Sequence, residues 1–271
     1  MLSTGALRAH LLAARLAGPV ATSRENSLRS YRLFAAGDPR VTLGVRPEGV
    51  WGERELLRLM AERCGVSGDP RQVTGADAID PERTLARLDA FAGRLAGAAA
   101  RRAPVLFGTG HPERLLGFYA GLADALSAAG CTVLTPGRGR RVDIPTRFGV
   151  RPHQLDYVGG VAFVRDPGAR AEGGGQGAHS HSPLPVRAAL ESAAESADGL
   201  PRLVIGDHGW ACGAGQMGIE AMGPADVNDP ALFVAEAEGR LSVAVPVDDA
   251  VAAEHYLPLT RYVLNRARLS P

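Results

Sequence analysis

Apolar residues follow two different rhythms along this chain. In the first hundred residues the spacing is helical: Leu7, Leu11, Leu12 and Leu16 form one stripe that stops before Gly18-Pro19. A helix over 53–64 is closed by Gly65. Asp80-Pro81-Glu82 opens another that runs to about residue 101, with Asp80 as N-cap and Pro81 in the first helical position. The run Val41-Thr42-Leu43-Gly44-Val45 predicts a short strand. Beyond residue 103, strand-like runs alternate with helical ones. Strands are expected at 104–107, 131–134, 157–165, 202–206 and 241–247, and helices at 113–129, 183–197, 230–238 and 252–268. The stretch 138–151, dense in arginine and turn residues, reads as irregular surface, and 170–177 as a glycine-rich tether. Such alternation predicts a three-layer α/β fold with a mostly parallel sheet. Residues 1–102 would be a mainly helical N-terminal lead-in packed on an α/β catalytic core over 103–271, the two forming one integrated domain.

Composition narrows the class of protein. A chain of 271 residues, 45% hydrophobic, can bury a substantial core. Its 30 basic residues, all arginine, balance 29 acidic ones, so nothing pulls it towards nucleic acid or an anionic membrane. With only 5% aromatic residues, a nucleic-acid partner is not expected. Cys64, Cys131 and Cys212 are odd in number and far apart, which favours neither disulfides nor a cysteine zinc site and suits a reducing cytoplasm. Arg8, His10 and Arg15 interrupt the first apolar stretch, so it suits an amphipathic helix better than a signal peptide or a membrane span. A soluble, cytoplasmic protein is the expectation.

The candidate chemistry lies at the ends of the predicted strands. Gly206-Asp207-His208-Gly209-Trp210 follows the apolar run Leu203-Val204-Ile205, placing a carboxylate and an imidazole at the edge where open α/β sheets bind ligands. Asp226-Val227-Asn228-Asp229 follows, and His179-Ser180-His181-Ser182 precedes. Carboxylate and amide oxygens suit Mg²⁺ or Mn²⁺, and added imidazole moves the preference towards Mn²⁺, Fe²⁺ or Zn²⁺. Each cluster also has a plain reading. Asp229 before Pro230 is a good helix cap, and the two histidines would serve equally well as solvated loop residues. The loop Gly108-Thr109-Gly110-His111-Pro112 lacks the residues of a Walker A loop or a dinucleotide fingerprint. It could hold an anion through its amides, or be an ordinary turn. Arg24, in the polar cluster Arg24-Glu25-Asn26, is a candidate guanidinium for a phosphate. Trp210 is expected as a packing anchor and Cys212 as a core thiol.

Taken together, Gly108-Thr109-Gly110-His111-Pro112, His179-Ser180-His181-Ser182, Asp207-His208-Gly209-Trp210 and Asn228-Asp229-Pro230-Ala231-Leu232-Phe233 resemble a family of actinobacterial proteins of this length labelled phosphatases. The similarity runs over nearly the whole chain and includes Arg24-Glu25-Asn26. It implies that His111, His179, His181, Asp207, His208, Asn228 and Asp229 lie in or near the site. The expected activity is a metal-dependent phosphatase acting on a small cytoplasmic phosphomonoester. Asp207, Asp229, Asn228, His179 and His181 are the expected ligands of a divalent ion (Mg²⁺ or Mn²⁺, with Zn²⁺ as a further choice). Gly108, Thr109, Gly110 and Arg24 are expected to hold phosphate, while His111, His208 and Asp207 do the chemistry. The expected partner is a small phosphorylated metabolite, with no nucleic acid and no membrane, and a homodimer is left open. Two other readings use the same residues: an isomerase or lyase acting on a phosphorylated sugar, and a non-catalytic small-molecule binding protein.

Overall fold

The structure, a computed structural model, describes residues 2–146, 149–167 and 177–269. The leucine stripe forms α1 (Thr4–Ala13), whose first turn is capped by the Ser3 side chain. The lead-in is not wholly helical, however. Gly18–Ser23 is a strand, β1, which is followed by α2 (Arg24–Ala35), α3 (Pro39–Thr42) and α4 (Glu53–Cys64). It pairs antiparallel with β2 (Ala76–Ile79) in a small separate sheet. The strand expected at 41–45 is overturned. The Asp38 side chain accepts from the Arg40 amide and caps a helical turn at Pro39, and Leu43 takes a left-handed φ of 52°. Capping outweighs β-branched propensity here. α5 (Pro81–Ala100) begins as expected, with the Asp80 side chain accepting from the Glu82 amide.

The main sheet begins with β3 (Val105–Gly108), followed by α6 (Pro112–Ala128). The expected strand at 131–134 shrinks to one bridge between Val133 and Val105, because another strand occupies the rest of that edge of β3. The stretch 138–151 is not irregular. It holds β4 (Arg141–Thr146) and the start of β5 (Gly149–Val158). The single strand expected at 157–165 is the end of β5, a turn at Gly159-Gly160, and β6 (Val161–Arg165). Of the glycine-rich 170–177 segment, all but Gly177 lies outside the described residues. There follow α7 (Leu184–Ala194), β7 (Leu203–Gly206), α8 (His208–Gln216), β8 (Ala221–Ala225), α9 (Pro230–Ala237), β9 (Val243–Pro246), a 3-10 turn (Ala253–Tyr256) and α10 (Leu257–Ala267). α8 and β8 have no counterpart in the sequence reading.

The seven strands lie in the order β4-β5-β6-β3-β7-β8-β9. The five from β6 to β9 are parallel, and the β4–β5 hairpin joins antiparallel at one edge. Helices α5, α6 and α10 pack together on one face and α7, α8 and α9 on the other, with α2 and α4 outside α9. This is the expected three-layer α/β fold. Every residue of β3, β7, β8 and β9 is buried, as parallel strands covered on both faces must be. A single apolar cluster extends from Leu7 and Leu11 through the sheet to Tyr262 and Val263. Among the described residues no helix is long and apolar enough to cross a membrane.

One topological point positions the site. β3 and β7 are neighbours, yet the chain leaves β3 towards α6 and leaves β7 towards α8, on opposite faces of the sheet. A crevice opens where adjacent strands diverge in this way, at their carboxyl ends.

Candidate active site

Four consecutive parallel strands deliver polar residues to that crevice. The loop after β3 carries His111, β7 ends at Asp207 and His208, the turn after β8 carries Asp226 and Asp229, and β9 is followed by Asp248 and Asp249. The connection from β6 to α7 contributes His179 and His181. It is tied down by the Ser180 amide, which donates to the Gly110 carbonyl at 2.9 Å.

The imidazoles form a stack. Ring centroids lie 3.9 Å apart for His111 and His179, 4.3 Å for His181 and His208, and 4.5 Å for His111 and His208. The carboxylates close round His208. Its Nδ1 lies 2.9 Å from Asp207 Oδ2, and its Nε2 lies 2.9 Å from Asp229 Oδ2 and 3.3 Å from Asp249 Oδ2. His111 Nδ1 is 3.5 Å from Asp249 Oδ2 and 3.8 Å from Asp207 Oδ2. His208 also has a left-handed φ of 47°, uncommon for any residue but glycine.

Charge distribution follows from these contacts. Burial works against a proton on His208, but Asp229, with hydrogen bonds to Asp207 and Asp249, holds its pKa well above the usual histidine value. Burial would raise the carboxyls of Asp207 and Asp229, yet both are held low. His111 and His208 lower Asp207, and His208 lowers Asp229. His179 and His181 go the other way. Desolvation first, and then the neighbouring imidazoles, keeps both below the usual value and so neutral, with lone pairs to offer. Asp226 is pushed up by burial and by Asp249 and Asp248, and it accepts from the Thr22 hydroxyl and the Val227 amide.

Asp207 Oδ1 and His111 Nδ1 are buried without a well-formed hydrogen bond, their nearest polar neighbours being the Tyr119 hydroxyl and the Asp249 carboxylate respectively. Polar atoms so weakly satisfied inside a protein are costly and call for an explanation. Two donor triads, His111/His179/His208 and His181/His208/Asp229, each place one ligand atom per residue within 4.8 Å of the others. Weakly satisfied donors, neutral imidazoles and an excess of carboxylate together fit a divalent cation with mixed nitrogen and oxygen ligands.

The structure thus brings together Asp207, His208, Asp229, His111, His179 and His181. Asn228 lies half-buried on the same turn as Asp229. The phosphate-binding residues come out differently. Arg24 is fully buried, its guanidinium bonded to the carbonyls of Gln72 and Ser67 and paired with Asp77, so it holds the N-terminal region together and is closed to solvent. The amides of the Gly108–Gly110 loop are also engaged. Thr109 N donates to Ala162 O, Gly110 N to Asp207 Oδ2, and His111 N to Thr109 Oγ1. The glycines serve packing instead. A Cβ on Gly108 would collide with the Trp210 ring, and one on Gly110 with the Ser180 carbonyl. Trp210 and Cys212 are buried core residues, as expected.

Asp249 was not legible as a site residue, although it touches two of the histidines. The available signal was positional: Asp248-Asp249 follows β9 just as Asp207 follows β7. Asp248 itself turns to the N-terminal region, accepting from the Ala21 and Ala250 amides.

Known proteins match over the same span. Phosphatase SCO2771 from Streptomyces coelicolor is 43% identical over 269 residues, covering 98% of this chain and 97% of its own length. The family model described as Phosphatase matches residues 2–271, which include every member of the histidine–aspartate cluster. The chain belongs to that Phosphatase family.

Proposed function

We propose that the protein is a metal-dependent phosphatase of small phosphomonoesters, working at the carboxyl edge of β3, β7, β8 and β9. The observation that carries this reading is the convergence of four imidazoles and three carboxylates, with His208 and the aspartates buried and His179 reaching the surface, on two triads whose ligand atoms lie within 4.8 Å of one another. Asp207, Asp229, His179, His181 and His208 are the donors for the ion, with Asp249 beside them. So many imidazoles favour Mn²⁺ or Zn²⁺ over Mg²⁺. When bound, the ion supplies Lewis acidity to the phosphoryl group and to water.

The protein's own residues divide the remaining work. Gly110 N orients Asp207 through a 3.0 Å hydrogen bond to Oδ2, the oxygen that also meets His208 Nδ1. His208 has both ring nitrogens against carboxylates and is 2% exposed, so it organises Asp207, Asp229 and Asp249 rather than meeting substrate. His111 lines a pocket that opens from the cluster and is the group placed to protonate a leaving oxygen.

The test is phosphate release from a panel of small phosphomonoesters, using metal-stripped protein with and without Mg²⁺, Mn²⁺ or Zn²⁺. We expect release to need a metal, and Asp207→Asn to abolish it while the far-UV circular dichroism stays unchanged. Wild-type turnover in that variant would rule the mechanism out.

A further inference from the structure

We propose that Arg114 is the residue that grips the substrate's phosphate, from a pocket of about 280 Å³ that it lines together with His111 and His179. This inference rests on the phosphatase reading above for its substrate, though not for the anion site itself. A phosphoryl dianion needs a positive partner besides the ion. The loop amides after β3 are already engaged, and Arg24 is buried elsewhere.

What sets Arg114 apart is its place: the pocket it lines is also lined by His111 and His179 of the cluster. Arg114 is half-buried, yet among the described residues its guanidinium has no hydrogen bond or ion pair. Arg187 is likewise half-buried without a described ion pair, but its pocket holds none of the cluster's residues. Arg114 also stands in the first turn of α6, where the helix dipole disfavours a cation. A half-buried positive charge at the positive end of a helix breaks a local rule, and although Glu113 lines the same pocket it forms no ion pair with Arg114. An anion in the pocket supplies the counter-charge. The planar fork of a guanidinium meets two phosphate oxygens at once, which a point charge does not. The pocket lies just below the roughly 300–1,000 Å³ usual for drug-sized ligand sites, in keeping with a phosphate on a small body.

The experiment is titration calorimetry of inorganic phosphate into wild type, Arg114→Ala and Arg114→Lys, in the presence of Mn²⁺ and again with a chelator. The same three proteins are assayed for phosphomonoester KM, metal content and circular dichroism. We expect Arg114→Ala to weaken phosphate binding at least tenfold and to raise KM in parallel, with metal content unchanged. Arg114→Lys should recover part of the loss. A change of less than twofold in Arg114→Ala, or no phosphate binding by wild type in either condition, overturns the proposal. If Arg114→Ala fails to fold, the Lys variant decides alone: wild-type phosphate affinity in it would overturn a bidentate grip. Arg114-dependent phosphate binding without any phosphomonoester hydrolysis would sink the phosphatase reading and leave this site standing. Hydrolysis unaffected by Arg114→Ala would do the reverse.

Discussion

His208 carries more constraint than any other single residue in the cluster. Its backbone sits in the left-handed region, and its ring is wedged between Asp207, Asp229 and Asp249. Backbone strain of this kind persists only where the surroundings over-determine it. Three carboxylates that would repel one another are held round one imidazolium. Replacing His208 by asparagine keeps the left-handed backbone tolerable, since Asn visits it readily, but removes the cation. Breaking a buried charge set from one side costs about 3–5 kcal/mol. We expect His208→Asn to lose stability of that order in urea unfolding of the metal-free protein. A loss below about 1 kcal/mol would mean that the carboxylates do not depend on the ring.

Elements with strong periodic patterns were readable from sequence, and those shaped by their neighbours were not. Helices α4, α5 and α6 follow apolar stripes and end at glycines or begin at caps, so local physics fixes them. Helix α8 contains Gly209, Gly213 and Gly215, poor helix formers, and so reads as loop. All three glycines are required by tertiary approach, since a Cβ on Gly209 would meet Ser182, one on Gly213 Pro183 and Val186, and one on Gly215 the Arg240 carbonyl. The β4–β5 hairpin was hidden because only Val142 and Ile144 point inward along β4. At the site, the strand-end positions of Asp207 and Asp229 were legible, whereas the engagement of the loop amides and of Arg24 was set by partners distant in sequence. Another long-range contact makes a pH prediction. Glu238, at the end of α9, accepts from the Trp51 indole and from the amides of Glu48 and Gly49. Burial would raise its pKa, but these donors and Arg240 hold it below the usual glutamate value. A lowered folded-state pKa gives stability that is present above the unfolded value and is lost as pH falls through the folded one. In a Trp210→Phe background, Trp51 fluorescence should therefore report loosening of the 48–51 segment as pH drops below the glutamate range. Glu238→Gln should flatten that transition, and an unchanged acid profile in it would refute the assignment.

At the scale of the whole molecule, the two edges of the parallel sheet differ in what they carry. The carboxyl edge holds the histidines and aspartates of the site. The amino edge is flanked by arginine–glutamate pairs such as Arg87 with Glu236 and Arg94 with Glu220. A ligand that binds only the folded state stabilises it by mass action. Saturating Mn²⁺ or Zn²⁺ should accordingly raise the melting temperature, by several degrees for a hundredfold excess over Kd, and a chelator should reverse the rise. A melting curve indifferent to every divalent ion would count against a metal centre. The spread of the donors along the chain adds something further. They come from five separate connections between His111 and Asp249, so an ion held by them would act as a cross-link, tying together loops that otherwise share only an edge. The protein would then have a hard end and a soft end whose difference is set from outside. Metal supply would govern the rigidity of the site-bearing edge, and apolar packing alone that of the other.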